Sequence, residues 1–213
     1  MEGLSEAAGL VGTVAFAATA VLAVAPRGID LLTACVMGVL TAIGGGTVRD
    51  LILDQPVFWA SDAGLLWASL LASLITFYAY RLIARRRVVA TLLYLDAVGI
   101  ALFAIQGAAK AWTLQFALPL GPVLLGVITA IGGGLLRDVL AGRESLLMRR
   151  ELYAIPVTAG CIGYAVLRAA APGQPTAAAV LCIGLIFGFR AAAIHLRLQV
   201  PDWFRLEGDR PAP

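Results

Sequence analysis

Gly38-Val39-Leu40-Thr41-Ala42-Ile43-Gly44-Gly45-Gly46-Thr47-Val48-Arg49-Asp50 reappears downstream as Gly126-Val127-Ile128-Thr129-Ala130-Ile131-Gly132-Gly133-Gly134-Leu135-Leu136-Arg137-Asp138. Each copy sets a glycine triplet in the middle of an apolar stretch and follows it with Arg-Asp. Glycine disfavours a helix by about 1 kcal/mol relative to alanine, so three in a row, twice, predict two deliberately weakened helices. An Arg-Asp pair inside apolar sequence is costly in a bilayer and marks a functional position by default. The duplication predicts an internally symmetric membrane protein whose working site lies between the two copies.

Working outward, the chain of 213 residues is 61% hydrophobic and only 14% charged, with a mean hydropathy of +0.91. Soluble domains are nearer half apolar and a quarter charged, so a single membrane domain is expected. Seven spans are predicted, at 7–25, 30–55, 62–83, 88–111, 118–142, 151–170 and 176–197, each close to the ~20 residues that cross a bilayer. Between them lie turn and charge signals such as Pro26-Arg27-Gly28, Asp54-Gln55-Pro56, Arg85-Arg86-Arg87 and Pro172-Gly173-Gln174-Pro175. Asp30 and Ser61 or Asp62 are expected helix N-caps. The apolar N-terminus resembles a signal peptide up to Ala23-Val24-Ala25, but Glu2 and Glu6 stand where a basic region belongs. It is read as the first, retained span.

The duplication extends beyond the triplets, since Gly12-Thr13-Val14-Ala15-Phe16-Ala17 aligns with Gly99-Ile100-Ala101-Leu102-Phe103-Ala104. Spans 1–3 (repeat one, 7–83) therefore match spans 4–6 (repeat two, 88–170), with a seventh helix at 176–197 and a short tail at 198–213. Three spans per repeat is odd, so the second copy enters the membrane inverted. Arginine placement sets the orientation. With the N-terminus outside, the inner side receives Arg27, Arg81, Arg85, Arg86, Arg87, Arg143, Arg149, Arg150, Arg190, Arg197, Arg205 and Arg210, and the outer side only Lys110 and Arg168. That asymmetry predicts a multi-pass protein of a bacterial inner membrane, N-terminus out and C-terminus cytoplasmic.

The triplets fall near the middle of spans 2 and 5. A kinked helix there would free carbonyl oxygens able to replace a cation's hydration shell, and glycine would also let the two helices approach closely. The expected arrangement is two crossing, kinked helices meeting around a polar path. Neighbouring residues on a helix point apart, so Arg49 and Asp50 are not expected to face each other, nor Arg137 and Asp138. Each charge should find a partner elsewhere, and Asp96 in span 4 is one such acid. Arg49 and Arg137 are read as gate residues or structural clamps. His195 and the tryptophans Trp59, Trp67, Trp112 and Trp203 are expected at interfaces. Cys35, Cys161 and Cys182 lack metal-site spacing and read as packing residues. The Arg85-Arg86-Arg87 run suits anionic lipid.

Together, GGGTVRDLIL (44–53), GGGLLRDVLAGR (132–143) and DAVGIALFAIQGAAKA (96–111) resemble the prokaryotic branch of the trimeric intracellular cation (TRIC) channels. The resemblance covers about residues 8–195. It implies a seven-helix protomer arranged 3+3+1, a homotrimer, and a pore in each protomer bordered by spans 1, 2, 4 and 5. It also implies monovalent cations, chiefly K+, as the permeant species, with kinks at Gly44-Gly45-Gly46 and Gly132-Gly133-Gly134. Arg137-Asp138 stands where animal members carry a Lys-Glu motif. No cofactor is implied beyond permeant K+ and bound lipid.

Sequences of this type have also been grouped as glycine transporters. A secondary transporter of a small solute is the rival reading, with Thr41, Thr47, Thr129, Gln106 and Gln115 as its available polar groups. Paired catalytic carboxylates, a nucleophile–base motif and a phosphate loop are all missing, which argues against an enzyme. The basic residues flank spans rather than forming a domain face, which argues against nucleic-acid binding.

Overall fold

The computed structural model describes residues 2–61, 63–82, 85–148 and 152–200. Its helices are α1 (Glu2–Val24), α2 (Leu31–Ile52), α3 (Phe58–Ser61), α4 (Gly64–Ala79), α5 (Arg85–Thr113), α6 (Leu120–Leu140), α7 (Ala154–Ala170) and α8 (Pro175–His195). Six of these are long and apolar enough to cross a membrane, and α7 is a shorter apolar helix. The seven predicted spans correspond in order to α1, α2, α4, α5, α6, α7 and α8. The four-residue α3 was not anticipated.

Asp30 caps α2: its carboxylate accepts from the Thr33 backbone N–H and hydroxyl, each at 2.8 Å. Those bonds hold the Asp30 carboxyl below its ordinary range, the backbone bond contributing most. The Ser61 cap is a correction. Ser61 ends α3 and bonds back to the Phe58 carbonyl, while Ala63 occupies the cap position of α4 without a side-chain bond. Asp62 lies outside the described residues, as does Trp203.

Of the long apolar helices α1 is the most buried, packing against α2, α4, α5 and α6. The inverted repeat is visible in paired contacts. A Cβ at Gly45 would fall on the Thr129 carbonyl oxygen, and one at Gly133 on the Thr41 carbonyl oxygen. A Cβ at Gly132 would lie 3.2 Å from Gly45 Cα. Thus α2 and α6 cross backbone against backbone. The same symmetry governs α1 and α5: a Cβ at Gly12 would meet the Phe103 ring and one at Gly99 the Phe16 ring. Phe16 and Phe103 stack edge to face with centroids 5.1 Å apart, a geometry aromatic pairs favour.

Neither triplet interrupts its helix; α2 and α6 run through them. What the missing side chains provide here is close approach, as small-residue contacts do between helices in lipid. At one end of the bundle the Arg27 guanidinium donates to the carbonyls of Ala141 and Gly142. Arg143 donates to the Ala23 carbonyl at 3.1 Å. Each arginine thereby satisfies carbonyls left open at the C-terminus of the other repeat's helix.

Gly45→Ala and Gly133→Ala are each expected to lower the melting temperature in detergent, by an overpacking cost of about 1–3 kcal/mol. The double variant should lose less than the sum, because both side chains force the same crossing apart. Gly184→Ala, where an added Cβ meets nothing within 4 Å, should leave the melting temperature unchanged or raise it. Equal losses at all three positions would contradict the crossing.

Candidate functional site

Directly after each triplet the Arg-Asp pair folds into the same hook. Arg49 Nε donates to Asp50 Oδ1 at 2.7 Å, and Asp50 Oδ2 accepts the Phe58 backbone N–H at 2.9 Å. In the second copy Arg137 Nε donates to Asp138 Oδ1 at 2.9 Å, and Asp138 Oδ2 accepts from Leu146 N–H at 3.0 Å. The expectation that neighbours point apart fails here. The downstream N–H fixes the aspartate, and the long arginine stem curls back until Nε reaches it. Two charges and one buried donor are satisfied within a stretch of ten residues.

Beyond this shared hook the two sites differ. Asp50 Oδ1 also accepts from Lys110 Nζ of α5 at 2.7 Å, so two cations share one buried carboxylate. Arg137 Nη1 instead reaches Asp96 Oδ1 of α5 at 2.7 Å and the Thr19 hydroxyl of α1 at 3.0 Å. Counting these side chains, the first cluster has one cation in excess and the second one anion. Aligned with Gly12 and Gly99, the repeat-one position matching Asp96 is Gly9, and the one matching Lys110 is Ala23. Helix α5 therefore carries both departures from symmetry.

Exposure separates the clusters further. A cavity of about 520 Å³ opens at the Lys110 end, reaching from Glu6 past Arg49, Gln106 and Lys110 to Phe103, between α1, α2, α5 and α8. Asp50 is sealed behind Arg49 and Lys110, whose side chains are 8% and 32% exposed. Arg137 and Asp96 are fully buried, and Asp138 nearly so. The Asp96 Oδ2 atom is buried without a hydrogen-bond partner. Gly134 makes room for this cluster, since a Cβ there would lie 3.0 Å from the Tyr153 hydroxyl and 3.5 Å from Asp96 Oδ1. Tyr153 is covered in turn by Arg190, whose guanidinium carbon sits 5.0 Å from the ring centroid and whose Nη1 donates to the Leu152 carbonyl.

All the anticipated residues thus gather at one crossing and two flanking clusters. Gly44, Gly45 and Gly46 lie on α2, and Gly132, Gly133 and Gly134 on α6. Arg49 with Asp50 sits on one side, and Arg137, Asp138 and Asp96 on the other. Lys110, Tyr153 and Thr19 were missed. Lys110 carried a signal, being the one lysine among fifteen arginines. Arg190 is a correction of another kind: counted as a flanking charge, it is fully buried in the bundle. Trp59 is more than an interfacial ring, donating to the Thr47 hydroxyl at 2.9 Å, whereas Trp67 and His195 are exposed. Cys161 and Cys182 are buried and Cys35 partly so. The polar groups available to a solute site are dispersed: Gln106 lines the cavity, Gln115 is exposed in the loop after α5, and Thr129 bonds its own helix at 2.5 Å.

This geometry has close counterparts. The structure of the TRIC trimeric intracellular cation channel orthologue from Rhodobacter sphaeroides superposes with a TM-score of 0.86 at 32% identity, over 92% of this chain and 99% of that one. This chain belongs to the prokaryotic TRIC family. A second TRIC cation channel structure matches at TM-score 0.84 and 30% identity, over 97% of this chain and 98% of that one. The inner membrane protein YadS of Escherichia coli is 37% identical over 202 residues, covering 94% of this chain and 97% of YadS. The family model described as Glycine transporter matches residues 6–81 and 93–169, one stretch for each triplet-bearing half of this TRIC-family chain. The fold and the relatives agree on a multi-pass membrane protein.

Removing one partner of a buried ion pair strands the other, at about 3–5 kcal/mol. Asp138→Ala, which also orphans the Leu146 N–H, should therefore cause a large drop in melting temperature. Glu144→Ala, at an exposed loop position, should cause none. A small effect of Asp138→Ala would show that the hook is not what holds Arg137.

Proposed function

We propose that this protein is a cation channel, with a path for monovalent cations, chiefly K+, through each protomer of a homotrimer. The observation that carries the reading is the glycine crossing with a charged cluster on either side, one of them opening into the cavity. It occurs within a fold shared with proteins described as TRIC cation channels. Carboxylates and backbone carbonyls in such a place replace part of a cation's hydration shell.

In the conformation described, Phe16 packs on Phe103 below the cavity and Arg137 is sealed. Conduction requires these groups to move apart. Bending at Gly44–Gly46 and Gly132–Gly134 is the motion we assign to that opening, with Arg49 and Arg137 as the charges displaced. The flanking arginines favour an N-terminus outside and a cytoplasmic C-terminus, and Arg85-Arg86-Arg87 a contact with anionic lipid. The dispersed polar groups do not favour the transport of glycine, and nothing in the site resembles enzymatic machinery.

Purified protein in liposomes under a K+ gradient should pass K+ rapidly and take up no labelled glycine. Arg137→Ala should change K+ flux several-fold in protein that still inserts and elutes as wild type. Saturable glycine uptake without K+ conductance would replace this reading with that of a transporter. Unchanged flux in a thermally weakened Arg137→Ala variant would make Arg137 a purely structural clamp.

A further inference from the structure

We propose that the cavity beside Arg49 is a binding site for a single-chain carboxylate. Its head sits on the guanidinium of Arg49 and the ammonium of Lys110, and its alkyl chain runs along the apolar wall toward Phe103. The site is complete whether or not the cavity conducts cations.

The two arginines that follow the glycine triplets differ in how their N–H groups are used. Arg137 engages every nitrogen, with Nε and Nη2 on Asp138 and Nη1 on Asp96 and Thr19. Arg49 engages only Nε, on Asp50. Among the described residues nothing accepts a hydrogen bond from its Nη1 or Nη2, although the side chain is only 8% exposed. Asp50 cannot turn to them. Its Oδ1 already takes Arg49 Nε and Lys110 Nζ, and its Oδ2 takes the Phe58 N–H. The Phe58 ring backs the guanidinium, whose Cζ lies 5.8 Å from the ring centroid. Arg49 lines the cavity, and neither Nη atom is sealed from it. The guanidinium is thus fixed through Nε and packed on a ring, with the donors of its Nη edge left open. Unpaired donors on a buried cation are costly. Such an edge matches the two oxygens of a carboxylate.

Charge and shape select the ligand. Arg49 and Lys110 against Asp50 leave one positive charge, which one monoanion cancels. Glu6, the other charged residue on the lining, is exposed, so water screens it. The volume of about 520 Å³ suits a small organic ligand and is too small to enclose a two-chain phospholipid. Beyond the charged pair the wall includes Leu102 and Phe103 of α5 and Ala179 and Ile183 of α8, surface that is better covered by hydrocarbon than by water. Seven residues of α5 separate Phe103 from Lys110, a depth of about 10 Å that suits a medium-length alkyl chain. An inorganic anion would leave that wall bare, and an alcohol would leave the Arg49 edge without its counter-charge.

The test is binding to the purified protein in dodecyl maltoside, measured by isothermal titration calorimetry and by melting temperature. Octanoate should bind saturably, one per protomer, and raise the melting temperature once its concentration passes Kd. Hexanoate, with two methylenes fewer, should bind about tenfold more weakly. Acetate, glycine and octanol at the same concentration should give no shift. Arg49→Lys, which keeps the charge and removes the paired donors, should weaken octanoate about tenfold, and Lys110→Gln by about as much. Lys110→Gln leaves Asp50 paired with Arg49 and the Phe58 N–H, so the fold should hold. Ala179→Phe, which fills the apolar part, should abolish binding, whereas Arg81→Gln, exposed just after α4, should change nothing. An octanol shift equal to that of octanoate would reduce the site to an apolar slot. Equal binding of acetate or glycine would remove the chain from the ligand, and tighter binding of octyl phosphate would make the head a phosphate. Each of these outcomes overturns the proposal, as would absence of octanoate binding to wild type or an affinity unchanged in both Arg49→Lys and Lys110→Gln. None of them touches the channel reading, which K+ flux decides.

Discussion

The fold turns on a contact between two main chains. Gly45 lies on the Thr129 carbonyl and Gly133 on the Thr41 carbonyl, so no side chain of any kind fits between α2 and α6 at their crossing. Hydrophobic burial gives little drive for helices to associate in lipid, and tight van der Waals contact must do more of the work. The crossing provides it, and its symmetry propagates. Phe16 on Gly99 and Phe103 on Gly12 repeat the same reciprocal logic between α1 and α5. The two Arg-Asp hooks then sit on opposite sides of the crossing because the repeats are inverted.

Placing the glycines at the crossing also decides where charge can be held. Arg49 and Arg137 follow their triplets by the same spacing, about one helical turn. Each is therefore carried just past the contact, where the helices begin to diverge and a guanidinium has room. Gly134 shows how finely the space is divided. A Cβ there would crowd the Tyr153 hydroxyl and come into contact with Asp96 and Arg137. The triplet thus combines two jobs, contact at its second glycine and clearance for the charged cluster at its third.

Much of this could be read in the chain before any coordinates. The spans follow from long apolar runs, the inversion from an odd number of spans per repeat, and the two sites from the repeated motif. Asp96 was found because a buried arginine demands an acid. The hooks were not legible, since the rule for neighbouring residues describes Cβ directions and ignores the reach of an arginine stem toward an aspartate already held by a distant N–H. Lys110 was read as a flanking charge because hydropathy places it near a span end, and only the packing of α5 on α2 turns it toward Asp50. Arg190 misled for the same reason: its position near a helix end hides a face turned inward onto Tyr153. Helix α3 is too short to leave a periodic signal, yet it supplies the N–H that orients Asp50.

The local closure of the first hook also bears on how the protein is made. Synthesis delivers α2 to the membrane long before Lys110 or α6 exist. Arg49, Asp50 and the Phe58 N–H all belong to one short stretch, so the nascent half can neutralise its own charges in lipid without waiting for the rest of the chain. Asp96 has no such neighbour and must await Arg137, 41 residues later. The interval in which that carboxylate stands alone makes the insertion of α6 the exposed step of biogenesis, and the quality-control machinery of the membrane would meet the chain there.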